Sequence, residues 1–363
     1  MRSFTFLLLM VFSVAAKGQL YSIRYIDTKT NASFRGLSVA NRNAVWVSGS
    51  KGWVGRTTNG GTDWHFGQVP GYEQCDFRTI YAFDSNNAII ANAGSPAYIL
   101  RTGDGGKSWQ KVYENKDSAA FIDGIDFWNK RKGIVYGDPI NGRMLLLHTN
   151  SKGKHWKERS KRNRPKMEPG EASFAASGTN IHCMLWGTVV IAAGGKTSKL
   201  YISRSNGIRW RTIPTPMLAG KESTGIFSFM TGRGVWNWYI AGGDYKQDTL
   251  RTANLFYTRN KGKKWIAPTT TTRGYRECLA AIDTTGLKGG WITSIFALGP
   301  TGIDVSTDKG ATWQALSDDK DLHVIKVSAD HKRLFLAGGK GKLAIMQAAI
   351  NDEERPYLSI PAP

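Results

Sequence analysis

The chain has 363 residues, 41 glycines, 13 tryptophans and 21% charged residues, with a formal net charge of +21. That length is large for one compact core but is easily reached by stacking repeated units, and no long amphipathic helical pattern is present. Three cysteines without a C-x-x-C or Cys/His spacing exclude the usual zinc frameworks, leave an odd thiol, and keep the pairing of Cys75, Cys183 and Cys278 open.

In chain order, the first element is "MRSFTFLLLMVFSVAAKGQ": Arg2, an apolar run from Phe4 to Ala16, then the small residues of Ala16-Lys17-Gly18. This is the pattern of a cleaved signal peptide over residues 1–18, too short for a membrane span. The expected mature chain is exported, to the periplasm or the medium, with no transmembrane segment. Export argues against nucleic acid as the partner of the positive charge. It leaves an exported protein client or an anionic glycan. The strand-like "YSIRYID" (Tyr21 to Asp27) follows, with no repeat of its own.

Then a unit recurs. A strand pair such as "AVWVSG…GWVGRT" is followed by a short Gly-containing turn ending in Trp. The turns are "TTNGGTDW", "TGDGGKSW", "TNSKGKHW", "SRSNGIRW", "TRNKGKKW" and "STDKGATW", with Trp-to-Trp spacings of 45, 47, 54, 55 and 48 residues. A phosphate loop would need a helix after the glycines, and a calcium loop would need alternating carboxylates. Neither fits six copies in one register. In each copy a short polar side chain (Asn59, Asp104, Asn260 and Asp308 among them) can bond amides two residues on. The Gly supplies a positive φ, and the Trp (Trp64, Trp109, Trp156, Trp210, Trp265, Trp313) covers the turn. A seventh pair, "RLFLAGGKGKLAIM", lacks a turn of this kind and an outer strand. A period of 40–55 residues is that of propeller blades. The expected fold is therefore all-β, a seven-bladed β-propeller over residues 19–347 with six boxed blades. Tyr21 to Asp27 would supply the missing strand and close the ring. Residues 348–363 are a Pro-containing, loosely held tail, and a monomer is expected.

Stacking the starts of the innermost strands gives one column of Arg35, Arg78, Asp123, Glu171, Thr224, Arg276 and His323. It is expected to ring the channel mouth, with Asp138, Asp244, Tyr245 and Asp304 contributed by the loops between the second and third strands. Guanidinium groups in such a ring suit carboxylate, phosphate or sulfate. The alternative is an internal salt-bridge network.

The turns are identified as Asp-box (BNR) repeats. Together with "CDFRTIYAFD", "YGDPING", "GEASFAASGT" and "GPTGIDVSTDKGATW", the chain resembles exported bacterial proteins similar to photosystem II stability/assembly factors. The resemblance implies a non-catalytic propeller without metal or cofactor, using an arginine face formed here by Arg35, Arg78 and Arg276. Relatives are often labelled oxidoreductases, but no cofactor motif supports that chemistry. Sialidases also carry Asp boxes. A sialidase-like glycoside hydrolase on the same face is therefore the alternative, with the three arginines, Tyr275, and acids at Asp76, Glu171 and Glu277.

Overall fold

The computed structural model describes residues 21–232, 236–283 and 293–348. The leader expected over 1–18 and nearly all of the tail expected over 348–363 lie outside the described residues. Regular structure among the described residues is β throughout, apart from two single 3₁₀ turns at Lys161–Asn163 and Leu185–Gly187. The strands form five four-stranded antiparallel sheets and one larger sheet of eight strands. The larger sheet is two consecutive repeats fused by one bridge, Gly194 to Gly225. Only glycine permits that approach: a Cβ on Gly194 would stand 2.6 Å from the Gly225 Cα.

The innermost strands of the units are Phe34–Val39, Thr79–Ala82, Ile122–Phe127, Ile181–Met184, Thr224–Thr231, Cys278–Asp283 and Leu322–Val327. Each packs on the next, and Leu322–Val327 packs back on Phe34–Val39, so the units form a closed ring. The second strands, such as Val45–Gly49 and Ala88–Ala91, are buried along their whole length. They are covered on both faces by neighbouring sheets, so they read as continuous apolar runs rather than alternating ones. The ring closes where the chain's two ends meet. Tyr21–Tyr25 pairs antiparallel with Leu343–Ala348, from Tyr21↔Ala348 to Tyr25↔Ala344. Tyr21 sets its ring edge-on to Phe296 at 5.2 Å and donates its hydroxyl to Ser294 at 2.9 Å. The last sheet thus takes its outermost strand from the beginning of the chain, which leaves that edge paired.

All six Gly-containing turns join the third strand of a unit to its outermost segment, and the same bonds recur. The Ser or Thr hydroxyl accepts from the amide of the Gly four residues on, at 2.9 Å in Thr57–Gly61 and 3.2 Å in Thr258–Gly262. The third residue accepts from the amide four residues on: Asn59 from Asp63 at 2.9 Å, Asp104 from Ser108 at 3.0 Å, Asp308 from Thr312 at 2.9 Å. Trp156 and Trp313 are buried beneath their turns, while Trp64, Trp109, Trp210 and Trp265 are half-buried.

One irregularity positions the site. In four innermost strands the ladder skips a residue, and the skipped residues are Arg35, Asp123, Phe227 and His323. Such bulges re-aim a side chain out of the regular alternation.

A candidate binding cup at the channel mouth

The residues brought together at the channel mouth come from these bulges and from one long connector. Residues 173–180, which enter the fourth unit, cross to the facing units instead of running straight into a strand. The Ser177 hydroxyl donates to the Glu277 carbonyl at 2.8 Å, and the Thr179 hydroxyl donates to Ser228 Oγ at 2.8 Å. The Ala176 carbonyl accepts from Arg35 Nη1 at 3.1 Å. Phe174 stacks on Phe227, with centroids 3.9 Å apart. Tyr275 and the exposed Tyr245 close an aromatic cluster around Phe227 at 4.6 and 6.2 Å.

Beneath this crossing lies an ionic centre. Glu277 is buried and accepts from Arg35 Nη1 at 2.8 Å, with His323 Nδ1 at 2.9 Å from the same oxygen. Burial would raise the Glu277 carboxyl, but the Arg35 charge and the His323 contact outweigh it and hold it below the usual carboxylate range. Arg78 lies at the rim, more than a third exposed. Its Nε donates to Asp76 at 2.7 Å, and its Nη atoms have no hydrogen-bond partner among the described residues. Asp123 is fully buried, and neither of its oxygens has a hydrogen-bond partner among the described residues. Burial, with the nearby Asp138 charge adding to it, pushes Asp123 well above the usual range. Asp138 accepts from the Ser173 amide at 3.1 Å and is itself raised by burial.

Within the expected column, Arg35, Asp123 and His323 are the skipped residues of their strands, and Arg78 directly precedes Thr79–Ala82. Three units need correction. Arg276 is fully buried and faces away from the mouth. Its Nε and Nη2 bind Asp304, and its Nη1 donates to Thr301 at 2.7 Å. Asp304 is in turn held by Arg273 Nε at 2.8 Å, so it too belongs to this internal pair. The channel position in that unit is Glu277, one residue later, because Glu277 and Cys278 both face Leu298. A one-residue slip of this kind swaps the side of every side chain. Glu171 is buried between Tyr201 (2.7 Å) and Lys199 (3.0 Å), away from the ring, and Thr179 takes the channel position of the fourth unit. The long connector hid that offset. In the fifth unit the bulge falls on Phe227 and not on Thr224, whose hydroxyl bonds Lys221 and Gly195. Asp244 is buried, accepts from the Lys246 amide at 3.0 Å and faces Lys221 at 3.7 Å, which leaves Tyr245 as the loop residue on the surface. All three cysteines are free; Cys278 lies within the ring, where its sulfur accepts from the Ile325 amide at 3.5 Å.

The three arginines consequently do not converge. Arg276 is unavailable for a substrate carboxylate, and Tyr275 is fully buried beside the Glu277 charge, its hydroxyl pushed well above the ordinary phenol value by burial. That is the opposite of an activated nucleophile.

A family model described as photosynthesis system II assembly factor YCF48 matches residues 16–119. The chain is similar to a structure titled "YCF48 bound to D1 peptide", at 16% identity and a TM-score of 0.60, covering 92% of this chain and 97% of that one. It is equally similar in sequence, at 16%, to YCF48 from Cyanidioschyzon merolae, with a TM-score of 0.57 and coverage of 90% and 98%. A catalytically inactive virginiamycin B lyase from Staphylococcus aureus is also similar, at a TM-score of 0.64 but 10% identity, covering 91% of this chain and all of that one. None of the curated proteins matches in sequence. The chain has a β-propeller fold and is similar to the photosystem II assembly factors. Its blades, as the units can now be called, carry the likeness over the whole ring, whereas the family model covers the first blades only.

Proposed function

We propose that the protein is an exported, non-catalytic seven-bladed propeller, with six Asp boxes, that holds a protein client on its channel-mouth face. Two observations carry this reading: an open guanidinium, Arg78, in the second unit, and the exposed Tyr245 beside the Phe174–Phe227–Tyr275 cluster in the fifth. An extended peptide could lay a carboxylate on Arg78 and an apolar side chain on the aromatic group, a combination that peptide-recognising surfaces use. The likeness to a propeller described as bound to a D1 peptide supports a protein as the ligand class. The Arg35–Glu277–His323 centre serves as the floor, fixing the crossing segment. The test is a pull-down from exported proteins, followed by peptide arrays from what is captured. Acidic or C-terminal peptides should bind the parent chain, and Tyr245→Ala should weaken them about tenfold, as expected for one aromatic contact. Release of sugar from sialylated glycans would overturn the non-catalytic reading.

A further inference from the structure

The face carrying the Asp boxes is not uniform around the ring. In five units the loop joining the first two strands is hydrogen-bonded to the box of the same unit, so both form one surface. Examples are Asn206 N–H to Gly187 O at 2.9 Å, Lys261 N–H to Trp236 O at 3.0 Å and Lys152 N–H to Arg131 O at 3.1 Å. In the third, fourth and fifth units this surface is built from "NKRK" (129–132), "TNSKGKHW", "LWG" (185–187), "SRSNGIRW" and "TRNKGKKW". These segments hold eleven Lys and Arg and no acid. The equivalent boxes of the other units carry Asp63, Asp104 and Asp308. The box hydrogen bonds are made just as well by Ser151, Ser205 and Asn260 in this sector, so folding does not dictate the change of charge.

The same sector holds the exposed apolar side chains of the face. Trp186 is 87% exposed and Leu185 69%, on a turn whose Trp186 has φ 55°; Ile208 is 42% exposed in the adjoining box, and Trp236 57%. Lys261 Nζ sits 3.9 Å from the Trp236 ring centroid. We infer that this three-unit sector docks the protein onto an anionic bilayer surface, with Leu185, Trp186, Ile208 and Trp236 entering the headgroup region and the surrounding cations meeting lipid phosphates. Tryptophan beside aliphatic residues within a Lys/Arg field is the composition of interfacial anchors, and each cation near an anionic leaflet adds attraction. A protein partner fits less well, because protein interfaces deplete lysine and need a contiguous apolar centre. A polysaccharide would give Leu185 and Ile208 nothing to contact. The orientation would leave the channel mouth facing away from the bilayer, free for a client.

The experiment uses the chain from Gln19 onward, which contains every described residue, in co-flotation with vesicles of phosphatidylcholine alone or with about one-third phosphatidylglycerol. Binding to the anionic vesicles, little to the neutral ones, and loss with rising salt are expected. Leu185→Ser combined with Trp186→Ser should lower the bound fraction about tenfold, and Lys263→Glu with Lys264→Glu should lower it similarly. Both variants should keep the parent's thermal transition. Equal binding to neutral vesicles, no binding to either, or full binding by the Leu185→Ser/Trp186→Ser protein overturns the proposal. Client capture measured on that same variant separates the two surfaces: capture retained with flotation lost is expected. If instead capture is lost and flotation is retained while the fold is intact, the sector is a protein-docking site and the bilayer assignment fails.

Discussion

Arg276 and Glu277 are neighbours in the chain, yet one is a strut inside a blade and the other the floor of the cup. Arg276 has no exposed surface, and its guanidinium bonds only within its own blade and the loop before it, to Asp304, Thr301 and the Tyr275 carbonyl. Glu277 reaches across the channel to Arg35 of the first blade and His323 of the last. The difference is one residue of strand register. It shows how a propeller separates two tasks: ion pairs pointing into a blade hold that blade together, while those pointing into the channel hold the blades to one another and shape a surface.

The comparison breaks most visibly through Arg276. Its replacement by Ala empties a fully buried site and leaves the buried Asp304 carboxylate to Arg273 alone; removing one partner of a buried pair costs up to about 3–5 kcal/mol. The expected result is a large fall in the urea midpoint or no folded protein. Arg35→Ala, whose side chain is a fifth exposed, should cost clearly less. Equal losses would mean that both pairs are struts.

Glu277→Gln comes next, at about 2 kcal/mol, the size of a charge-assisted bond. Its pH dependence has a definite sign. A carboxyl held below its usual range in the folded protein contributes stability that is present above about pH 4.3, the ordinary glutamate value, and is lost as the pH falls through the folded pKa. The gap between parent and Glu277→Gln in chemical denaturation should therefore close in acid. A gap constant down to the acid transition would mean that Glu277 is not the ionised floor of the cup.

Asp123 works in the opposite direction. Its carboxyl is raised, so the folded state favours the protonated form. Its contribution is intact below the ordinary Asp value and is lost as the pH rises through the folded pKa. Asp123→Asn should therefore stabilise the protein at neutral pH, because the amide has no ionised form for burial to disfavour, and the difference should vanish below about pH 4, the ordinary Asp value. A destabilised Asp123→Asn protein would show that the carboxylate has a partner that the bare chain does not supply.

The repeat, the strand order within each unit and the pairing of the two chain ends were all legible, because each leaves a periodic or complementary mark: a Trp-ended turn, an apolar second strand, a missing outer strand. Arg35, Arg78, Asp123 and His323 follow the same short pattern at the starts of their strands, so their grouping can be read along the chain. Glu277, Thr179 and Phe227 were not found at their places. A bulge adds one residue without changing composition, and "YRECLA" can be read in either register. The crossing segment at 173–180 was misread for a related reason. "GEASFA" alternates like a strand, but the segment it opens crosses to the facing units, and nothing local distinguishes the two. Asp76 and Glu277 could have been linked to Arg78 and Arg35 only by asking which acid each channel arginine needs.

The smallest expected change in stability is at Arg78, and it bears most directly on the cup. Its guanidinium is more than a third exposed and, among the described residues, pairs only with the partly exposed Asp76. Such a pair contributes about 0–1 kcal/mol, lowered further by salt. Arg78→Ala should thus shift the denaturation midpoint hardly at all. A client carboxylate bridging the free Nη atoms would lose a contact of about 1.5–3 kcal/mol, or roughly ten- to a hundredfold in affinity. Arg78→Lys should recover only part of it, because an ammonium group keeps the charge and loses the planar fork. Measuring both variants by titration calorimetry against the captured peptide distinguishes charge from geometry. If Lys restores full affinity, the rim attracts the client without reading a carboxylate. If neither substitution alters binding while Tyr245→Ala does, the client is held by the aromatic cluster and Arg78 is only a solvated neighbour of Asp76.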